Sequence, residues 1–340
     1  MPYSNDYKPP YFPTNILLVM YRDTTVVEYP VDQDSLTVKY TSEAIRFIRK
    51  QSKKNKPFFF YLAYNMPHLP IHTTKDFLGK SRAGLYGDVV ETIDWSVGQV
   101  LKTLDQEGIS GNTIVFFASD NGPWLNAPPR MFNIPKHPEG DNWELRGAGN
   151  KPWYIGSPGP LRGSKHTTYE GGTRVPAMIC WPGHIKPDQV SDALVTNLDI
   201  FQTFLRAGGG KYGILPVDGY DVMPFLTGKT DVDPRKEYAY FLSGKLEALR
   251  IGRWKLRLAD KYPQLFELQR DPSERYNVAE ENPDVVQQIR EQMQKVAKDV
   301  VDRSEYAYLQ KQVRNHLASL THRKPTVALR LKPGDTFSRI

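Results

Sequence analysis

The chain has 340 residues, of which 39% are hydrophobic, and its formal net charge is +7. This length allows about two domains and a sizeable core, while no apolar run reaches the roughly 18 residues that a membrane span requires. The single cysteine, Cys180, excludes an internal disulfide and a cysteine-rich zinc site. No nucleic-acid-binding motif accompanies the positive charge, so a solvated basic face is favoured, and an anionic small molecule or polysaccharide stays compatible with it.

The first part of the chain alternates predicted helices and strands. Residues 1–35 are rich in Pro and Tyr and predict a loop excursion. Apolar residues at helical spacing predict an amphipathic helix over 35–52, and the run FFFYLAY, Phe58–Tyr64, predicts a buried strand. A helix is then predicted over 85–104, with a buried side made of Val89, Val90, Ile93, Val97, Val100, Leu101 and Leu104. This pattern is typical of an α/β fold with a largely parallel sheet.

The next predicted strand, Thr113–Ala118, leads into the first candidate site residues. Asp120 and Asn121 follow it directly, at the end of a strand where ligands bind in open α/β sheets. Adjacent carboxylate and amide oxygens are hard donors of the kind that Ca²⁺ and Mg²⁺ accept. A hairpin turn is the alternative, because Asn-Gly is a strong turn signal. Pro123 weakens that alternative, since no alternating strand returns after it.

Two basic side chains are further candidates. His68 lies between two prolines in the stiff loop after Phe58–Tyr64, and its alternative role is that of a packed loop residue. Lys165 comes shortly before the turn Glu170–Gly172. A lysine beside a Gly-rich turn can hold an oxyanion, and the alternative is a solvated surface lysine.

A long segment of low periodicity, 125–160, separates these candidates. A loop of this length inside a compact domain is usually functional or disordered. Trp124, Trp143 and Trp153 favour an ordered wall. The chain then returns as a strand predicted over 175–181, which would bury Cys180 as an apolar residue.

A second, smaller domain is predicted after the boundary segment Gly228–Arg235. The stretch Asp192–Leu226 before it predicts a short helix and a loop. Four short antiparallel strands and one amphipathic helix follow, over Tyr238–Leu242, Ala248–Ile251, Trp254–Leu258, Leu265–Leu268 and Pro283–Val301. Residues 322–340 show no period and predict an extended or frayed end.

Several of these runs together resemble the type I sulfatases of the arylsulfatase type. The resemblance is carried by FFASDNGPW, LRGSKHTTYEGGTRVPAMICWPG, FFFYLAYNMPHLPIH and PYSND, and in the later part by LRIGRWKLRL and LFELQRDPSERYNV. It implies an alkaline-phosphatase-like α/β fold with a mixed sheet flanked by helices. Residues 1–235 would form the C-terminal part of the catalytic domain, and 236–340 a small α+β subdomain.

The resemblance also implies roles for particular residues. Asp120 and Asn121 would be ligands of an active-site cation, Ca²⁺ or Mg²⁺. His68 would donate a proton to the leaving-group oxygen, and Lys165 would bind the sulfate oxygens. Ser4, in PYSND, matches a serine that lines the family's pocket. All of these groups act where charge develops during transfer of a sulfuryl group.

The sequence departs from the family at the nucleophile. The family makes a formylglycine from a Cys or Ser in a Cys/Ser-x-Pro-x-Arg motif, and this motif is absent here. The family's paired aspartates and its Lys-Trp-His segment are also missing. Two ligands cannot complete a calcium shell of about six or more oxygens. The chain is therefore expected to be the C-terminal part of a sulfatase that turns over no sulfate ester alone.

Three functions stay open at this point. The first is a sulfatase whose N-terminal part is missing from the sequence, the second a non-catalytic remnant that binds sulfated or anionic glycans, and the third a related phosphoester hydrolase. The expected partner is a sulfated small molecule or glycan. Family members are usually exported, although the first residues lack the order of a signal peptide. The sequence indicates neither the natural substrate nor an oligomeric state.

Overall fold

The computed structural model describes residues 19–54, 56–69, 71–125, 156–210 and 218–299. The chain divides into two compact units, Met1–Lys236 and Glu237–Ile340. In the described ranges, no helix combines the length and the apolar character that crossing a membrane requires. The predictions for Trp143, Trp153 and 322–340 lie outside the described residues.

Two long helices form the centre of the first unit. Helix α1 covers Leu36–Ser52 and helix α2 covers Gly84–Gln106, which confirms both predicted helices. The two pack against each other, and the hydroxyls of Thr41 and Ser96 are hydrogen-bonded across the interface at 2.5 Å. The side chains that α1 buries recur every four residues and include Leu36, Tyr40, Ala44 and Ile48.

Helix α2 buries a narrower stripe than its sequence predicts. Leu85, Val89 and Ile93 belong to the core, whereas Val90 and Leu101 are exposed. The prediction that Val90 and Leu101 are buried is wrong. At about 100° per residue, both side chains lie roughly 100–120° around the helix axis from Val89, at the edge of the buried stripe.

A short hairpin precedes α1. Strands β1, Met20–Arg22, and β2, Thr25–Glu28, pair antiparallel. The prediction of an irregular loop is therefore wrong for this part of 1–35. Asp23 adopts a positive φ of 54°, which Asp tolerates better than most residues and which permits the tight turn between the strands.

The strand that precedes the candidate site pairs with a strand from much later in the chain. Strand β3, Val115–Ala118, runs antiparallel to strand β4, Ala177–Cys180. The prediction of a largely parallel sheet is wrong within the described residues, where every strand pair is antiparallel. Strand β3 is half-buried. Cys180 is exposed rather than buried, because β4 forms the edge of a two-stranded ladder.

The segment Phe58–Tyr64 joins no strand pair of the described residues. The rings of Phe58 and Phe60 pack against Phe47 of α1, with centroid distances of 5.6 and 4.9 Å. Phe59 and Tyr61 point the other way and are exposed. The prediction of a fully buried strand is wrong, since one side of the segment packs on α1 and the other side is open.

The described part of the first unit contains three shorter α-helices. Helix α3 covers Glu170–Thr173, helix α4 covers Asn197–Ala207, and helix α5 covers Met223–Leu226. Helix α4 confirms the short helix predicted within 192–226. The Asp199 carboxylate accepts a hydrogen bond from the backbone N–H of Thr196 at 2.7 Å, which satisfies a donor at the start of the helix.

Residues 237–299, the described part of the second unit, form a four-stranded antiparallel sheet with one helix on it, as predicted. A hairpin turn at Ser243 and Gly244, both with positive φ, joins its first two strands. The strands pair in sequence order, and helix α6 packs on the second and third of them. The elements are β5 Glu237–Leu242, β6 Lys245–Ile251, β7 Trp254–Arg257, β8 Gln264–Glu267 and α6 Pro283–Asp299.

Candidate active site

The loop that follows β3 is held by backbone hydrogen bonds to α3 and to the segment that follows α3. The N–H of Ser119 donates to the carbonyl of Pro176 at 3.4 Å, and the N–H of Gly122 donates to the carbonyl of Gly172 at 3.0 Å. The side-chain amide of Asn197, at the start of α4, donates to the carbonyl of Ser119 at 3.2 Å. The strand end and its loop are therefore fixed by two distant parts of the chain.

Gly122 is required by a close approach of two backbones. A Cβ atom at this position would lie 1.9 Å from the carbonyl oxygen of Gly171. No side chain fits in this space, so the Asp-Asn-Gly run needs its glycine for packing. Gly122 and Gly171 thus allow the loop of Asp120 and Asn121 to pack closely against α3, which follows Lys165 in the chain.

Lys165 lies beside the same loop. Its backbone N–H donates to the carbonyl of Pro123 at 2.9 Å, and its Nζ lies 5.4 Å from the centroid of the Trp124 ring. The turn that follows is closed by Thr167, whose hydroxyl donates to the carbonyl of Ser164 at 2.7 Å. The lysine is half-buried, so its ammonium is both accessible and restrained.

His68 reaches the same tryptophan from the loop after Phe58–Tyr64. Its ring centroid lies 6.0 Å from that of Trp124. Its Nδ1 lies 2.7 Å from the carbonyl oxygen of Leu69, and since a carbonyl only accepts, Nδ1 carries a proton in this contact. The ring is thereby oriented by one nitrogen, and Nε2 is the nitrogen that can exchange a proton with a ligand.

Trp124 is the residue on which these segments meet. His166, next to Lys165, packs edge-on against it at a centroid distance of 5.9 Å. The tryptophan also packs against the buried cluster beneath α2, and Tyr64 and Tyr86 pack against the same cluster. Burial raises the pKa of both of these phenols, so they stay neutral beside the site. Three basic side chains thus surround one indole ring that rests on the core.

Trp124 and His166 were not predicted as site residues. The sequence indicates Trp124 only as part of an ordered wall and indicates nothing for His166. The position of Trp124 directly after the Asp-Asn-Gly-Pro run, and that of His166 directly after Lys165, were the signals available in the sequence.

The oxygen donors Asp120 and Asn121 lie on the same loop, three and four residues before Trp124. Asp120 is exposed and Asn121 is half-buried. Their donor type suits Ca²⁺ or Mg²⁺, but no cluster of three or more His, Cys, Asp or Glu side chains occurs in the described residues. These two residues therefore fit only part of a cation shell. Ser4 lies outside the described residues.

Cys180 does not belong to this site. It pairs with Val115 at the beginning of β3, whereas Ala118, at the end that leads to Asp120, pairs with Ala177. Three strand positions separate the two ends, or roughly 10 Å. The run Cys180-Trp-Pro-Gly-His184 also has a histidine where the sulfatase motif has arginine. Cys180 is therefore not placed to act as the nucleophile of this site.

Comparison with known families identifies the class of protein. The sulfatase family model matches residues 2–210, and the model of the C-terminal part of N-sulphoglucosamine sulphohydrolase matches residues 164–299. The first match covers more than half of the chain and all of the site residues described above. The chain belongs to the sulfatase family, whose members hydrolyse sulfuric esters.

Curated relatives give the more particular similarity. N-acetylgalactosamine-6-sulfatase from Rattus norvegicus is 38% identical over 267 residues, which cover 76% of this chain and 45% of the relative. Steryl-sulfatase from Homo sapiens is 34% identical over 235 residues, which cover 68% of this chain and 36% of the relative. The chain spans about half the length of the curated relatives it matches.

Solved structures show the same fold. A structure described under metabolism of multiple glycosaminoglycans by Bacteroides thetaiotaomicron has a TM-score of 0.64 and 30% identity, over 78% of this chain and 55% of that one. Ps i-CgsB, solved in complex with k-i-k-neocarrahexaose, has a TM-score of 0.64 and 27% identity over the same shares. The alkaline-phosphatase-like sulfatase fold is therefore the fold of the first unit, although its described strands form only small antiparallel ladders.

Proposed function

We propose that this chain supplies the sulfate-binding side of a sulfatase active site, at which the sulfate ester of a sugar is hydrolysed. The observation that carries the proposal is the convergence of Lys165 and His68 on the ring of Trp124. A cation that binds the sulfate and a donor for the leaving oxygen must lie within one substrate's length of each other. Contact of both side chains with the same indole ring is consistent with this requirement.

Lys165 would bind the sulfate oxygens. Its ammonium is a compact charge with three donors, and the face of Trp124 attracts it without neutralising it. The half-buried position lowers the competition from water. The lysine is therefore restrained in place but keeps its charge for an anionic ligand.

His68 would protonate the leaving-group oxygen. When the sulfuryl group passes to a nucleophile that we do not assign to this chain, the sulfur–oxygen ester bond breaks and its electrons stay on the sugar oxygen. A second proton, carried on Nε2 of the imidazolium form, moves to that oxygen, which gives an alcohol and leaves a neutral imidazole with its proton on Nδ1. The hydrogen bond from Nδ1 to Leu69 keeps the ring in one orientation during this step.

Asp120 and Asn121 would hold a divalent cation, Ca²⁺ or Mg²⁺, together with ligands from outside the described residues. When bound, such an ion supplies charge stabilisation for the sulfate oxygens. The nucleophile is a separate requirement. Because the sequence has no Cys/Ser-x-Pro-x-Arg motif, we assign no nucleophilic step to this chain and infer that it turns over no sulfate ester alone.

The substrate class follows from the relatives. N-acetylgalactosamine-6-sulfatase is named for a sulfated amino sugar, and two of the similar solved structures are described with glycosaminoglycan metabolism and with a neocarrahexaose. We therefore propose a sulfated sugar, free or within a glycan, as the ligand. The net charge of +7 favours an anionic ligand of this kind.

Isothermal titration calorimetry tests the proposal. The chain is titrated in the presence of Ca²⁺ with N-acetylgalactosamine 6-sulfate, with the 6-phosphate and with the unmodified sugar. We expect binding of the sulfate in preference to both others, and a loss of roughly tenfold or more in Lys165→Ala, because a charged hydrogen bond is removed. Lys186→Ala, at an exposed lysine of the same unit, is the matched control and should bind normally.

Two outcomes would contradict the proposal. Equal binding of all three sugars would show that the protein does not recognise the sulfate group. Preference for the phosphate would favour a phosphoester hydrolase. For catalysis, the purified chain is incubated with an aryl sulfate, and less than one product per chain is expected. Multiple turnovers would show that the nucleophile lies within this chain after all.

A further inference from the structure

The turn that presents Lys165 also presents an exposed histidine, His166. The backbone N–H of Thr167 donates to the carbonyl of Ser164 at 3.0 Å, so Lys165 and His166 occupy the two central positions of a four-residue turn. The hydroxyl of Thr167 donates to the same carbonyl at 2.7 Å. The backbone that carries both side chains is therefore closed twice, once by the main chain and once by a side chain.

His166 is not the residue that this turn favours. Its φ is 69°, and a positive φ at the third position of a turn is typical of glycine or asparagine. Histidine adopts this conformation at some steric cost, which glycine avoids because it has no Cβ atom. The requirements of the turn therefore do not explain the histidine.

The imidazole of His166 is held against Trp124 and keeps its polar atoms open. It packs edge-on against the indole at a centroid distance of 5.9 Å. Within the described residues, no hydrogen bond or ion pair engages either ring nitrogen. The ring of His68, by contrast, has its Nδ1 2.7 Å from the carbonyl oxygen of Leu69. The imidazole of His166 can therefore donate one hydrogen bond to a ligand and accept another.

Lys165 and His166 differ in their exposure to solvent. The lysine is half-buried and the histidine is exposed, although both lie against the ring of Trp124. A glycan that continues beyond a sulfated sugar has to leave the site on the side that solvent reaches. Of the two central residues of the turn, His166 is the one on that side.

We propose that His166 is a specificity-determining residue that binds the sugar unit next to the sulfated one in a glycan. Its ring nitrogens hydrogen-bond to hydroxyl or carboxylate oxygens of that unit, and a hydroxyl can both donate and accept. The protein then binds a sulfated disaccharide more tightly than the sulfated monosaccharide. This inference rests on the proposed function, because Lys165 must hold the sulfate for the second sugar to reach the histidine.

Calorimetry with three ligands tests the inference. In the presence of Ca²⁺, the full chain is titrated with N-acetylgalactosamine 6-sulfate and with two disaccharides, in which a second sugar is linked to O1 or to O3 of this sulfated sugar. We expect at least one disaccharide to bind about fivefold more tightly than the monosaccharide, which is the gain that one hydrogen bond provides. His166→Gly should remove this gain and leave the affinity for the monosaccharide within about twofold.

Two further variants separate recognition from a role in folding. His166→Asn keeps a donor and an acceptor and tolerates a positive φ, so it should retain part of the gain. His184→Ala changes another exposed histidine of the first unit, which stacks on Trp181 at a centroid distance of 3.9 Å, and it should retain the whole gain. Because glycine suits a positive φ, the urea midpoint of His166→Gly should be no lower than that of the wild type.

The outcomes distinguish this inference from the proposed function. Lys165→Ala should weaken the binding of all three ligands, and unchanged binding would contradict the proposed function and the inference with it. If Lys165→Ala weakens binding but His166→Gly keeps the disaccharide gain, the inference alone is overturned. It is also overturned if neither disaccharide binds more tightly than the monosaccharide, or if His166→Gly weakens all three ligands equally, as a role in the fold would predict.

Discussion

The Nζ of Lys165 lies 5.4 Å from the centroid of the Trp124 ring, while the backbone N–H of the same lysine donates to the carbonyl of the residue before the tryptophan. The two residues are thus joined through both backbone and side chain. Because Trp124 rests on the buried cluster beneath α2, the position of the lysine is set by the core of the unit. The other basic residues, His68 and His166, take their positions from the same ring.

Trp124 is therefore expected to act as a positioning residue for sulfate binding. Trp124→Ala should lower the affinity for N-acetylgalactosamine 6-sulfate about tenfold, since both the cation–π contact and the packing of His68 are lost. Trp124→Phe keeps an aromatic face and should lose only about threefold. Calorimetry measures both, with Trp95→Phe in α2 as the control. Unchanged affinity in Trp124→Ala would contradict the role.

Gly122 is expected to tolerate no side chain. In Gly122→Ala the new Cβ would lie 1.9 Å from the carbonyl oxygen of Gly171, so the backbone must shift. We expect a loss of about 2 kcal/mol in the free energy of unfolding, measured by urea denaturation, together with loss of sulfated-sugar binding. Gly98→Ala in α2 is the control, because its Cβ meets nothing within 4 Å. That variant should be more stable by about 0.5–1 kcal/mol, and equal effects of the two substitutions would refute the packing argument.

The ion pair of Arg235 and Asp199 is expected to be essential for stability. Both side chains are buried, and the guanidinium also lies over the ring of Tyr220 at 4.4 Å. Arg235→Ala leaves a carboxylate buried without its cation, and such changes cost about 3–5 kcal/mol. Chemical denaturation should show this loss in the first unit. Arg206→Ala, at an exposed arginine of α4, should cost less than about 1 kcal/mol, and a similarly small loss for Arg235→Ala would contradict the account.

Tyr40 should make the protein sensitive to alkaline pH. Burial, with a smaller effect of Glu28, raises the pKa of Tyr40 from 10.0 to about 12. Between these two values the unfolded chain releases the phenolic proton and the folded chain keeps it, so the stability that is present below pH 10 falls as the pH rises towards 12. The loss is on the order of 2 kcal/mol. Tyr40→Phe cannot ionise, so the difference between its unfolding free energy and that of the wild type should change over this pH range. A constant difference would show that Tyr40 does not titrate as described.

The long helices could be predicted from sequence because their periodicity is local. Helix α2 could be predicted from the spacing of its own apolar residues. That spacing does not show where the buried stripe ends, and Val90, at the edge of the stripe, is exposed. The hairpin of β1 and β2 has three and four residues, too few to display an alternation. The open side of Phe58–Tyr64 could not be predicted either, since an apolar run does not reveal whether both of its sides are covered.

The sequence indicates candidate residues of the site, whereas the contact on which their segments meet is seen only in the fold. The resemblance to the sulfatases identified His68, Asp120, Asn121 and Lys165 as candidates, and their roles stay predictions. Nothing in the local sequence shows that segments near 68, 124 and 165 meet on one indole ring, because this contact depends on tertiary packing. The close approach of Gly122 to Gly171 also depends on tertiary packing. The two glycines therefore do not reveal this contact in the sequence alone.

A crystal structure of the chain with N-acetylgalactosamine 6-sulfate tests the central claim most directly. We predict that a sulfate oxygen lies about 3 Å from Nζ of Lys165 and that the ester oxygen lies within hydrogen-bonding distance of Nε2 of His68. An ordered sugar bound elsewhere, or a sulfate turned away from Lys165 into solvent, would contradict the account.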